Sequence, residues 1–185
     1  MTAFTYISVD IEAAGPNPHD YALLSIGACA VDNPEQAFYV ELQPTTDRLL
    51  PQALAVHGLT LEALRTRGLP PGEAMQRFAE WIAETTPPGA LPLLVAFNAP
   101  FDWMFVADYF HRFLGENPFG HSALDIKAYA LGLHGGGWED TSMARILARY
   151  PTGVGALTHN ALQDARDQAA LFRQMLTAAK RLAAP

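Results

Sequence analysis

Asp10 and Glu12 are the first residues whose types and spacing suggest chemistry. They stand two apart where an apolar segment rich in β-branched and aromatic residues, 4–10, gives way to the turn formers Gly15 and Pro16. On an extended strand that spacing puts both carboxylates on one face, where they can share a cation. A short acidic pair at a solvated strand end is commonplace. At the edge of a core, however, two carboxylates repel each other unless a cation or hydrogen bonds compensate. Asp102 lies in Phe97-Asn98-Ala99-Pro100-Phe101-Asp102, at a strand-to-helix junction where a carboxylate also suits the helix dipole. His159 and Asp164 complete the set in Thr158-His159-Asn160-Ala161-Leu162-Gln163-Asp164. Four hard carboxylates favour Mg²⁺ or Mn²⁺ over zinc, which recruits cysteine or several histidines. Imidazole titrates near neutrality and suits a general base.

These groups must be gathered by the elements that carry them. Residues 4–10 are predicted to form a buried strand ending in the acidic pair. Residues 23–31 form a nearly continuous apolar run and 36–42 a looser alternation, with Asp32-Asn33-Pro34 as the turn between them, so the three make an antiparallel meander. Thr60 can cap a helix over 61–65, and 72–85 forms another with Met75, Phe78, Ala79 and Ile82 on one face. Residues 91–97 read as a buried strand and 100–114 as a helix whose first turn carries Asp102. A weaker strand over 122–126, a glycine run within 131–138 and a helix over 141–150 follow. The last helix spans 161–182, with Asn160 and Gln163 in a capping-box pattern. Strands first, then strand and helix alternating, imply a mixed sheet with helices packed on it.

Bulk properties narrow the reading. The chain has 185 residues, half of them apolar, enough for one domain over 1–185 with a substantial core. Its apolar runs are far shorter than the roughly 20 residues that span a bilayer. Met1 to Tyr6 is no charged-then-apolar leader, so a soluble, membrane-free protein is expected. The single cysteine, Cys29, is expected as a buried free thiol, which fits a reducing cytoplasm. The net charge of −7 opposes a grip on long nucleic acid, which needs a basic face. If only the last few nucleotides of a strand are handled, cations can supply the positive charge, so short single-stranded ends are the favoured partner.

In order and in context, D-x-E, N-x-x-F-D and H-x-x-x-x-D resemble the DEDDh branch of the DnaQ-like 3′-to-5′ exonuclease superfamily. Ser25-Ile26-Gly27-Ala28 and Val56-His57-Gly58-Leu59-Thr60, the latter similar to the family's H-G-I-T segment, support the resemblance, which covers residues 4–177. It implies an α/β, ribonuclease H-like fold, a five-stranded mixed sheet flanked by α-helices with the carboxylates at its centre. It also implies 3′-to-5′ hydrolysis of single-stranded DNA or RNA to nucleoside 5′-monophosphates. Two divalent cations about 3.5 to 4 Å apart would be held by Asp10, Glu12, Asp102 and Asp164. Asp10 would bridge both, Glu12 and Asp164 would complete the ion that activates water, and Asp102 would hold geometry or serve the second ion. His159 is the expected general base.

Substrate contacts follow less directly. Ala13-Ala14-Gly15 replaces the threonine-containing segment usual in the family, so backbone amides along Ile11, Ala13, Ala14 and Gly15 are expected to reach the terminal 3′-hydroxyl. Phe101 offers a stacking face or a core contact, His57 a nucleotide contact or a loop-ordering hydrogen bond, and Asn98 a local bond or a nucleotide contact. Trp138 beside three glycines is a candidate lid. Asp125 and Asp167 are read as structural or solvated, and Arg145, Arg149 and Arg166 form no dense patch. Two rivals are a catalytically inert scaffold of the same fold, which would lack a ligand, and an endonuclease, which would need neither the histidine spacing nor the N-x-x-F-D segment. The resemblance leaves a homodimer open.

Overall fold

The computed structural model describes residues 3–153 and 158–182, apart from the side chains of residues 54 and 56. The expectation of no leader at Met1 lies partly outside them. Five strands, β1 (Ala3–Ala13), β2 (Leu23–Ala30), β3 (Ala37–Glu41), β4 (Ala90–Ala96) and β5 (Ala123–Asp125), form one sheet in the order β3-β2-β1-β4-β5. β1 pairs antiparallel with β2 and parallel with β4, and β4 pairs parallel with β5. This is the expected mixed sheet flanked by helices. β1 runs past Asp10 to Ala13, so the acidic pair lies inside the strand and not beyond its end. A register shift between Glu12 and Ala13 marks where regular pairing with β2 is lost.

The alternation of β1 sorts its side chains. Ile7, Val9 and Ile11 enter a core with Ile26, Leu94, Met75, Phe78, Phe105, Tyr109 and Phe110, built on α3 (Pro71–Thr85) and α4 (Pro100–Leu114). Ser8, Asp10 and Glu12 fall on the opposite face, where Cys29, Val95, Ile126, Phe172 and Met175 form a second core under α7 (Ala161–Leu182). Cys29 is a buried free thiol there, as expected.

Two helices were not anticipated. α1 (Pro51–His57) precedes the expected α2 (Leu61–Arg67), and α5 (Ile126–His134) follows β5 directly. α5 starts because the Asp125 carboxylate accepts the Ala128 N–H at 2.6 Å, an N-cap that the strand reading of 122–126 concealed. The helix expected over 141–150 divides into a 3₁₀ turn at Trp138–Thr141 and α6 (Met143–Arg149). At α7 half of the capping box forms: the Gln163 N–H donates to Asn160 Oδ1 at 3.0 Å, while the Gln163 side chain donates forward to Asp167. Among the described residues no helix is long and apolar enough to cross a membrane.

Gly27 decides how closely α7 meets the sheet. It pairs with Asp10, and a Cβ on it would lie 2.1 Å from the Ala161 carbonyl carbon and 2.2 Å from the Leu162 nitrogen. Backbone on both sides leaves nothing to yield cheaply. Gly27→Ala should therefore lose about 1–3 kcal/mol or more of stability, the range for overpacking a core. Urea unfolding in EDTA checks this, and the variant should lose nuclease activity with it because α7 carries Asp164. An alanine variant as stable and active as wild type would show that the approach is not a constraint.

Candidate active site

Asp10 and Glu12 project from one face of β1, as their spacing requires, Asp10 opposite Gly27 and Glu12 opposite Ser25. Asp102 enters from the first turn of α4 and is 4 % exposed; its Oδ1 accepts the Ile11 N–H at 3.1 Å. Asp164 enters from the first turn of α7 and is 2 % exposed. One of its oxygens accepts the Thr158 N–H and hydroxyl at 2.8 and 2.9 Å, and the other accepts the His159 N–H at 2.8 Å. Those bonds hold His159 in a left-handed backbone conformation, φ 57°, that non-glycine residues seldom adopt. His159 is exposed, and ligand atoms of Glu12, His159 and Asp164 all lie within 4.8 Å of one another. Asp10 and Asp102 stand outside this tightest trio but within its field.

That field is visible in the protonation equilibria. Burial pushes Asp10 well above the usual aspartate range, and the charges of Asp102, Glu12 and Asp164 push it further, against the hydrogen bond from Gln168. Glu12 is pushed up to about 8, by burial first and then by Asp164 and Asp102. Asp102 is raised by burial, with the Ile11 N–H opposing. So many facing carboxylates in a poorly solvated site are stabilised as anions by a compensating cation, and four carboxylates beside one imidazole suit a hard divalent ion.

Beside the carboxylates lies a cavity of about 300 Å³ lined by Glu12, Ala13, Gly15, Pro16, Leu50, Ala53, His57 and Phe101. Two larger clefts, one against α5 and α6 and one along Pro87–Pro92, contain none of the candidate carboxylates or His159. The cavity divides the expected substrate contacts. Ala13 and Gly15 line it, but Ile11 and Ala14 do not. The Ile11 N–H, expected to reach a 3′-hydroxyl, donates instead to Asp102 in this structure, and the Ala14 N–H donates to the Ala22 carbonyl at 2.9 Å. Gly15 has a packing reason as well, since a Cβ there would lie 2.4 Å from the Tyr21 ring.

His57 makes the loop-ordering hydrogen bond, its Nδ1 accepting the Leu59 N–H at 3.1 Å, and its ring lines the cavity. Burial lowers its pKa, with the Ala13 backbone opposing and the nearby His159 adding to the fall. Phe101 also faces both ways, lining the cavity and packing its ring 5.4 Å from Phe105. Asn98 occupies the turn before α4 at φ 66°, its carbonyl accepting the Phe101 N–H at 3.1 Å. Asp125 is structural, receiving the Ala99 and Ala128 N–H groups. Trp138 stands exposed beneath the Lys127 ammonium, 4.4 Å from the ring centre. Arg145 pairs with Asp140, and Arg166 donates to the Pro34 carbonyl.

Sequence reasoning missed Gln168, 1 % exposed, whose amide donates to Asp10 at 2.7 Å. The available signal was a polar residue one turn beyond Asp164 on a face otherwise made of Ala165, Ala169 and Phe172. It also missed Leu50 and Ala53, which border the cavity just before and within α1.

A mixed sheet with carboxylates clustered at its central strand and a histidine exposed at their rim is the arrangement of a ribonuclease H-like nuclease. Residues 7–172 match the RNase T exonuclease family model, and the chain belongs to that family of 3′-to-5′ exonucleases. The 3′-5′ DNA exonuclease Cap18 of Escherichia coli is 44% identical over 169 residues, covering 91% of this chain and 89% of that protein. Ribonuclease T of Klebsiella pneumoniae is 28% identical over 190 residues, covering 97% and 87%. Among solved structures, the nuclease domain of 3′hExo, a DEDDh family member bound to rAMP, superposes with a TM-score of 0.75 at 14% identity over 93% of this chain and 91% of that one. E. coli Exonuclease I with a dT13 oligonucleotide gives 0.72 at 19% identity over 96% of this chain, which spans only 42% of that longer one.

The raised carboxyl pKa values have a consequence for stability. Glu12 titrates near 4.5 when unfolded and near 8 when folded, so between those values the folded state binds more protons. Its contribution to stability is complete below pH 4.5 and is lost as pH rises through 8; Asp10 acts in the same direction. In EDTA the melting temperature should fall from pH 5 to pH 8, and Asp10→Asn, which removes one charge, should melt higher than wild type at pH 8 while losing activity. Circular dichroism melts at the two pH values provide the check. An Asn variant that melts no higher at pH 8 would mean the carboxylates do not strain the fold.

Proposed function

We propose that this chain is a single exonuclease domain over residues 1–185 that removes nucleotides from the 3′ ends of short single-stranded nucleic acid, releasing nucleoside 5′-monophosphates. The observation that carries this reading is the convergence of Glu12, His159 and Asp164 within 4.8 Å, backed by Asp10 and Asp102. Asp10, Glu12, Asp102 and Asp164 fit a pair of Mg²⁺ or Mn²⁺ ions, given their oxygen donors and the elevated pKa values of Asp10, Glu12 and Asp102. When bound, such ions would supply water activation and stabilise the departing 3′-oxygen.

The protein's own part is positioning and proton transfer. His159, exposed at the rim and tied through its backbone to Asp164, accepts the proton of the attacking water. The left-handed turn places the imidazole beside Glu12, close to the carboxylates without being buried among them. Phe101, Leu50 and Ala53 give the adjacent cavity an apolar wall for the terminal base or sugar, and stacking there is worth about 1–3 kcal/mol per base. Ala13 and Gly15 let the sugar approach the backbone closely, and His57 offers a ring nitrogen at the same wall. The higher identity to a DNA exonuclease supports single-stranded DNA as the preferred strand, with RNA second. The charge of −7 supports short substrates and a shallow dependence on salt.

Degradation of 5′-labelled single-stranded DNA and RNA with Mg²⁺, Mn²⁺ or EDTA tests the reading. Wild type should yield a metal-dependent ladder shortening from the 3′ end, and Asp10→Ala should yield none. His159→Ala should keep its fold and lose at least about 100-fold in rate, the lower range of general-base contributions. Internal cuts would favour an endonuclease, and full activity in the folded His159 variant would remove that residue from the mechanism. A protein that neither shortens any strand nor binds Mn²⁺ in calorimetry would be an inert scaffold.

A further inference from the structure

Three of the candidate ligands are held by different devices. Asp102 is fixed by the backbone N–H of Ile11 and Asp164 by the 158–159 segment, whereas Asp10 is held by a side chain from α7, the helix packed on its face of the sheet. Gln168 lies on α7 one turn beyond Asp164, at 1 % exposure. Its Nε2 donates to Asp10 Oδ1 at 2.7 Å, and its Oε1 accepts the Phe97 N–H at 2.9 Å. The two partners fix the orientation of the amide. A backbone N–H can only donate, so the carbonyl end must face Phe97, and the NH₂ end is left for the carboxylate.

Phe97 immediately precedes Asn98, whose positive φ makes the turn from β4 into α4. Asp125 holds the other side of that turn by accepting the Ala99 N–H at 2.7 Å. The turn sets where α4 begins, and so where Asp102 stands. One buried side chain thus links the strand of Asp10, the turn that delivers Asp102 and the helix that delivers Asp164. It spends one acceptor position of Asp10 Oδ1 on an uncharged donor, leaving Oδ2 and the remaining lone pair for cations.

We propose that Gln168 is a positioning residue for the exonuclease reaction, fixing the Asp10 carboxylate and its register with Asp102 for cation binding. The inference rests on the reading of Asp10 as a cation ligand. A purely structural glutamine would stabilise the fold without altering cation affinity, and the two cases separate experimentally. Partners that orient metal ligands typically contribute 10–100-fold in affinity or rate. Gln168→Met keeps length and volume but removes both hydrogen bonds. It should weaken Mn²⁺ binding in calorimetry by about that factor and lower kcat with little change in KM.

A second measurement needs no variant. In ¹⁵N-labelled wild-type protein titrated with Mg²⁺, the side-chain amide signals of Gln168 should shift at the same concentrations as the backbone amides around Asp10. Backbone signals that move while the Gln168 amide does not would overturn the proposal. So would a Gln168→Met protein with undiminished Mn²⁺ affinity and kcat. If no signal near Asp10 moves at all, the cation reading of the site fails first, and this inference fails with it.

Discussion

The backbone of α7 reaches the sheet at Gly27, and much of the site's geometry descends from that contact. A side chain there would collide with the Ala161 and Leu162 backbone, so only glycine lets the N-terminal turn of the helix settle beside the strand that carries Asp10. From that seat Asp164 sits beside the acidic strand, and Gln168, one turn further, comes within hydrogen-bond distance of Asp10. The segment leading into the helix folds back onto the Asp164 carboxylate, which turns His159 to the rim. A missing side chain on one strand thus helps to set four side chains on three other segments.

Gathering these acids in a poorly hydrated place works against folding, and the chain offsets this locally. Asp102 and Asp164 both stand in the first turns of helices, where unpaired N–H groups and the helix dipole favour negative charge. Ile11, Thr158 and His159 add backbone donors. Those donors do not cancel the cost: burial still raises Asp102 to about 8, and Asp10 and Glu12, on a strand without such a dipole, are raised by burial and by their carboxylate neighbours. Stability and cation affinity are therefore opposed at the same atoms: a more comfortable acid pair would be a poorer ligand pair.

Alternation on a strand made the shared face of the D-x-E pair legible, and the marks of helix starts put Asp102 and Asp164 in first turns, but only the three motifs taken together singled these acids out. α7 was placed over the same residues, 161–182, that the structure shows. Other features depend on partners remote in sequence. Nothing near Ile11 or Ala14 reveals that their N–H groups are taken by Asp102 and the Ala22 carbonyl, one of them ninety-one residues away. α5 was hidden because Asp125 serves two elements at once, ending a strand and capping a helix. α1 is only seven residues long, too short for a periodic signal, yet it supplies a wall of the cavity. Gln168 looked like an ordinary helix-forming residue, and only tertiary packing gives its amide two obligatory partners.

An acidic protein acting on a polyanion needs its attraction to be local. Coulomb repulsion between a chain of charge −7 and a long strand acts over about a Debye length, near 10 Å in moderate salt, whereas ions held among carboxylates act at contact distance. The wall beside the carboxylates is mainly apolar, so a terminal nucleotide is held there by shape and stacking more than by basic side chains. Binding energy of that kind is realised at the strand's last residue and grows little with its length. Under the proposed reading, the same acidity that makes the protein a poor grip on a long strand concentrates its positive charge at the one phosphodiester to be cut.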